Sequence, residues 1–122
     1  MAQVLLVDDD PIQLRVRETV LRDAGFEVSV ATTPDGALAL LRSTTETGNV
    51  GAVITDHIMP GTGGAEFVKL LREVNDEVPV IVVTGMPDAE EEYAGLNVAF
   101  RQKPIHPDEL INLLRSVIAP GG

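Results

Sequence analysis

The 122-residue sequence has no cysteine, no tryptophan, one tyrosine and three phenylalanines. Without cysteine there is no disulfide framework and no thiolate metal site, which fits a reducing compartment. With aromatics at 3%, any core must be aliphatic, built from Val, Leu, Ile and Ala. Basic residues are also scarce: nine Lys and Arg stand against nineteen Asp and Glu, a formal net charge of −10. That argues against a nucleic-acid surface, which needs clustered cations. It favours cations, basic partner surfaces or simple solubility. No apolar run reaches the roughly 18 residues of a membrane helix, and the N-terminus lacks a signal-peptide pattern. The expectation is a cytoplasmic protein with no direct membrane contact.

What is present is aliphatic and periodic. Hydrophobic residues make up 44% of the chain, enough for a core, and the length suits one domain. We take residues 1–119 as that domain and 120–122 as a tail or the start of a linker. Short apolar runs alternate with helix-period segments. "VLLV" (4–7) reads as a buried strand. Asp10 is placed as an N-cap and Pro11 as the first helical residue, with Ile12–Ala24 as the helix and Gly25 at its C-terminal end. "FEVSVA" (26–31) alternates apolar and polar, as an edge strand does. Thr33 and Pro34 repeat the helix-start device, and Ala37, Leu38 and Leu41 share one face. "VGAVIT" (50–55) is a second buried strand, followed by Phe67, Leu70, Leu71 and Val74 at helical spacing. "VPVIVVT" (78–84) is the most strand-like run, and "NVAF" (97–100) a fifth. A last helix carries the stripe Leu110, Leu113, Leu114, Val117 and Ile118.

This is a strand–helix unit repeated five times. Near-continuous apolar strands between amphipathic helices imply an α/β fold, a doubly wound parallel sheet covered on both faces. About thirteen residues, 85–97, separate the fourth and fifth strands. A crossover with its helix takes at least about ten to twelve. The helix there, containing Pro87 and followed by Gly95, should be short or irregular.

Ligands of such sheets bind beyond the carboxyl ends of the strands. Asp8 and Asp9 follow the first strand, Asp56 the third, Thr84 ends the fourth, and Lys103–Pro104 follows the fifth. The fold should gather three carboxylates, one hydroxyl and one ammonium at one edge. An oxygen-rich set without cysteine suits a hard cation, Mg²⁺ before others. Without metal, mutual repulsion should raise at least one carboxylate pKa. A metal, a lysine and a hydroxyl donor around one carboxylate are what phosphoryl transfer to that carboxylate requires.

These fragments, "VDDD", "TDHIMPGTGG", "VVTG" and "QKP", in this order and at strand ends, resemble the receiver domain of two-component response regulators over essentially the whole chain. The resemblance implies a flavodoxin-like (βα)5 fold with strand order 2-1-3-4-5. It implies Asp56 as the phospho-accepting aspartate, Asp9 as a direct Mg²⁺ ligand, Asp8 as a ligand through water, and the Ile58 carbonyl completing the protein's share. Thr84 corresponds to the switch hydroxyl, Lys103 to the lysine on the phosphoryl oxygens, Pro104 to a cis proline and Phe100 to a rotating aromatic. The implied partners are a sensor histidine kinase or histidine phosphotransfer protein, and a downstream protein target or attached kinase domains. A homodimer through the face of the last two helices and the fifth strand is a family option. The chain is then expected to be a switch rather than an enzyme, with at most autocatalytic phosphorylation and dephosphorylation. Output is expected by protein contact, from a stand-alone chain or from a piece of a larger one.

Other readings differ at particular residues. A phosphohydrolase using an aspartyl phosphate commonly has a second aspartate two positions after the nucleophile, where Ile58 stands. A binding module that never takes phosphate would not need the full set of polar residues. Ile58 and Met86 offer nothing to orient an attacking water, so slow loss of phosphate is expected. His57 and His106 are too far apart in sequence to suggest a metal pair. "EEE" (90–92) reads as a solvated helix face, and "GTGG" (61–64) as a flexible turn near the site. Phe100 reads as the sole aromatic near that edge.

Overall fold

The computed structural model describes residues 3–43, 50–59 and 61–118. The proposed tail, 120–122, lies outside them. The elements are β1 (Gln3–Val7), α1 (Pro11–Asp23), β2 (Glu27–Ala31), α2 (Pro34–Ser43), β3 (Val50–Asp56), α3 (Gly64–Val74), β4 (Val80–Thr84), a 3₁₀ helix η1 (Pro87–Tyr93), β5 (Val98–Gln102) and α4 (Pro107–Val117). The strands form one parallel five-stranded sheet in the order β2-β1-β3-β4-β5, the flavodoxin-like order expected.

Strand alternation divides the core in two. Val4, Leu6, Ala52, Ile54, Ile81 and Val83 face α1 and α4, where they meet Leu14, Leu21, Leu110 and Leu114. Leu5, Val7, Val53, Val80 and Val82 face the other way, against Leu38, Phe67, Val68, Leu71 and Tyr93. Each fully buried aliphatic or Phe side chain contributes on the order of 1.5–3 kcal/mol of hydrophobic stabilisation. The central strands are apolar on both faces because helices cover both; β2, at the edge, alternates.

Helix starts follow the local chemistry. The Asp10 carboxylate accepts from the backbone N–H groups of Ile12 (3.0 Å) and Gln13 (3.4 Å), and Pro11 opens α1. Gly25, after α1, takes a left-handed φ of 99° that ends the helix without Cβ strain. Between β4 and β5 the chain has room only for the 3₁₀ helix η1 and a tight return through Gly95 (φ 79°) and Asn97 (φ 58°). Arg72 of α3 fixes this return. Its guanidinium donates to the carbonyls of Leu96 (2.9 Å), Asn97 (2.9 Å) and Val78 (2.6 Å). Among the described residues, no helix is long and apolar enough to cross a membrane.

Candidate functional site at the carboxyl edge of the sheet

The parallel sheet brings the ends of β1, β3, β4 and β5 to one edge, and alternation decides which way each side chain turns. Asp56 is the last residue of β3 and in phase with Ala52 and Ile54, so it belongs to the α1–α4 side. Asp8 continues the phase of Val4 and Leu6, and Lys103 that of Ala99 on β5. These three meet. Lys103 Nζ lies 2.7 Å from Asp56 Oδ2, and the other Asp56 oxygen accepts the His57 N–H at 2.7 Å. Asp8 is 2% exposed, and Asp56 is close enough that its charge acts on Asp8. The Lys103–Pro104 peptide bond is cis.

The Asp8 carboxyl is held above the usual carboxylate range, first by burial and only then by the charge of Asp56. The direction matches the expectation from sequence. The leading cause is desolvation rather than repulsion between carboxylates. The repulsion is largely answered within the chain. Asp56 has Lys103, and Asp8 has Arg17, whose guanidinium lies 3.6 Å away with only 11% of its side chain exposed.

The three-carboxylate cluster is not preformed. Among the described residues, no three His, Cys, Asp or Glu side chains converge as a metal cage. Asp9 sits exposed on the turn into α1, whereas Asp8 keeps the strand's phase and is buried. Two buried oxygen donors with a third acid at the rim still fit Mg²⁺, which takes one or two carboxylates and keeps waters. Ile58, in the loop after β3, has its side chain 60% exposed.

Thr84 and Phe100 turn to the opposite side of the sheet, in phase with Val82 and Val98. Thr84 is 1% exposed; its hydroxyl accepts from the Met86 N–H at 3.2 Å, and its carbonyl accepts from the Lys103 N–H at 2.8 Å. Phe100 meets Tyr93 with ring centroids 6.0 Å apart. Phe100 is therefore not the sole aromatic at this edge. Tyr93, inside the acidic segment, is buried, and its hydroxyl shares a 2.7 Å hydrogen bond with His57 Nδ1. His57 Nε2 lies 3.4 Å from Glu92. That carboxylate favours the proton on Nε2, leaving Nδ1 to accept from the phenol. The two histidines stay apart: His106 caps α4, accepting the Asp108 N–H.

The "GTGG" stretch is more constrained than a flexible turn. Gly61 takes φ 81°, but Gly64 is the buried first residue of α3. A Cβ on Gly64 would lie 2.7 Å from the Asp56 carbonyl oxygen and 2.7 Å from His57 Cα, and would strike the Tyr93 hydroxyl. Glycine is required there so that α3 can pack against the end of β3.

Arg17 and Tyr93 were missed in the sequence, though each left a signal. Arg17 lies three residues after Leu14 and four before Leu21, on the same stripe of α1. A basic residue inside an apolar stripe indicates a buried acid to receive it. Tyr93 is the only aromatic in an otherwise acidic, solvated segment, which marks the residue that turns inward.

With this geometry in view, comparison with known proteins is decisive. Residues 4–115 match the family model of the response regulator receiver domain. The chain belongs to that family. Transcriptional regulatory protein PrrA of Mycobacterium tuberculosis is 38% identical over 117 residues, 96% of this chain and 48% of that protein. The solved chemotaxis protein CheY4 of Vibrio cholerae is 30% identical, with a TM-score of 0.83 over 96% of this chain and 98% of that one. The receiver domain of the hybrid histidine kinase CckA is 27% identical, with a TM-score of 0.81 over 97% of this chain and 100% of that one. This receiver domain spans about half or less of the length of the curated relatives it matches, such as PrrA at 48%.

Proposed function

We propose that this receiver domain is a phosphoacceptor switch. Asp56 takes a phosphoryl group from a phosphohistidine on a sensor histidine kinase or a histidine phosphotransfer protein. The carrying observation is the Asp56 carboxylate at the sheet's carboxyl edge, held 2.7 Å from the Lys103 ammonium beside buried Asp8. In the transfer, an Asp56 oxygen forms a bond to phosphorus while the bond from phosphorus to the donor nitrogen breaks. The imidazole leaves with the electron pair and is protonated. Lys103 keeps its charge beside the phosphoryl oxygens. Mg²⁺, which Asp8, Asp9, Asp56 and the Ile58 carbonyl would hold, supplies neutralising charge for the incoming phosphoryl group.

The response passes to the other side of the sheet. Thr84 can turn its hydroxyl to donate to a phosphoryl oxygen. Doing so releases the Met86 N–H, the residue that leads into η1. Tyr93, the last residue of η1, packs against Phe100 of β5, so the freed segment is joined to the fifth strand. The shift between states comes from contacts that only the phosphorylated form makes. The output is a change in affinity for a protein target, so the chain works as a switch and not as a turnover enzyme.

Incubation with acetyl phosphate and Mg²⁺, followed by intact mass, tests this. One phosphoryl group should be gained, and Asp56→Asn should gain none. Mg²⁺ uptake without any mass gain would instead support a binding module that phosphate does not regulate. Once formed, the acyl phosphate should be long-lived, because the exposed side chains of Ile58 (60%) and Met86 (45%) cannot orient a water. Polar residues at both positions should shorten its lifetime, followed by mass over time; an unchanged lifetime would refute this.

A further inference from the structure

Arg17 and Gln13 lie one helical turn apart on the same face of α1, and both turn toward Asp8. The Gln13 amide nitrogen donates to Asp8 Oδ2 at 2.8 Å, and its amide oxygen accepts from Lys103 Nζ at 3.4 Å. Only one orientation of the amide satisfies both neighbours, NH₂ toward the carboxylate and C=O toward the ammonium. Arg17 NH1 stands 3.6 Å from the same Asp8 oxygen. The other Asp8 oxygen accepts the Asp10 N–H at 2.9 Å. Asp8 thus has both oxygens occupied by groups of the chain. The buried charges, Asp8 and Asp56 against Arg17 and Lys103, already balance.

A dication arriving at Asp8 therefore meets an internal competitor rather than bare repulsion. We propose that Arg17, assisted by Gln13, acts as a built-in counter-ion that competes with Mg²⁺ for Asp8 and so sets the Mg²⁺ concentration the site requires. The inference rests on the reading of Asp8 as part of a Mg²⁺ site. Two further observations support it. The Arg17 side chain is only 11% exposed and its guanidinium faces the buried Asp8 carboxylate, so the arginine is held inward. The guanidinium also has somewhere to go. Arg17 itself lines a cleft of about 290 Å³ between α1 and the start of α4, together with Gln13, Val16, Val20, Lys103 and Pro104. Metal binding at Asp8 would turn the Arg17 guanidinium away along this cleft and free the Gln13 amide.

The test is a calorimetric titration of Mg²⁺ into the whole chain at neutral pH, with thermal unfolding in EDTA and in Mg²⁺ alongside. Arg17→Met keeps an unbranched apolar stem but removes the guanidinium and its charge. It should bind Mg²⁺ roughly tenfold more tightly, the change that removing an opposing interaction of about 1.4 kcal/mol would give. It should also gain more thermal stability from Mg²⁺ than the parent does. Gln13→Met should shift the affinity in the same direction by less, and Arg17→Lys should stay near the parent. Gln13 is only half-buried, so its variant serves should Arg17→Met fail to fold. Unchanged or weaker binding in Arg17→Met and Gln13→Met, with Mg²⁺ still bound by the parent, would overturn this inference alone. Absence of Mg²⁺ binding in parent and variants together would remove the metal-site reading itself, and the inference with it.

Discussion

The two sides of the sheet meet the same edge with different chemistry. Toward α1 and α4 the strand ends present Asp8, Asp56 and Lys103, with Arg17 and Gln13 reaching in from α1. Toward α3 and η1 they present Thr84, His57 and Phe100, with Tyr93 reaching in from η1. One side is an ion-pair network; the other is a packed set of rings and a hydroxyl. Alternation makes the partition unavoidable: Asp56 and His57 are consecutive and face opposite ways. A change of charge at Asp56 is therefore one peptide away from a hydrogen bond that holds η1. On the proposed reading, charge chemistry and mechanical response can then be altered separately.

The largest effect on the ring side is expected from Gly64→Ala. The added Cβ meets backbone atoms of Asp56 and His57 at 2.7 Å, and neither can move without disturbing β3. A loss of about 1–3 kcal/mol in urea unfolding is expected. A neutral result would mean that α3 is not seated against the strand end.

Tyr93→Phe should be milder. Removing the hydroxyl leaves the half-buried His57 Nδ1 without its donor, at about 1–2 kcal/mol. Phosphoryl uptake at Asp56 should be unchanged, which is what separates the two sides. Alkaline titration reads this group alone, since Tyr93 is the single tyrosine and there is no tryptophan. Burial is the first cause holding its phenol above the ordinary value of 10.0, with Glu92 and Asp56 adding to it. The folded chain then keeps a proton that the unfolded chain loses. Stability is unaffected below pH 10 and falls as pH rises above it. Tyrosinate absorbance should appear with unfolding rather than before it, and Tyr93→Phe should lose this pH dependence. Asp10→Ala, which touches only the start of α1, should cost the least, about 1 kcal/mol, with Mg²⁺ uptake retained.

Much of this was legible before the structure. The strand and helix runs are set by apolar periodicity, the parallel sheet by their alternation, and the edge residues by the rule that parallel strands end together. Even the short η1 followed from the few residues between Thr84 and Val98. The pairings across elements were not legible. Arg17 stands out in the sequence only as a cation on an apolar stripe; that Asp8 is its partner shows once α1 packs on the strand end. Tyr93 stands out among the glutamates around it, but its partner His57 does not. The exposure of Asp9 against the burial of Asp8 depends on where β1 stops and α1 begins, and an acidic run such as "DDD" does not show its own register.

The most direct measurement is the amide NMR spectrum of the ¹⁵N-labelled chain before and after Mg²⁺ and beryllofluoride, a phosphoryl mimic. Residues 8, 9, 56 and 103 should shift, and so should Thr84, Met86, Tyr93 and Phe100, with Tyr93→Phe damping only the second group. Shifts confined to the charged side, or none that require Asp56, would contradict a switch that works across the sheet.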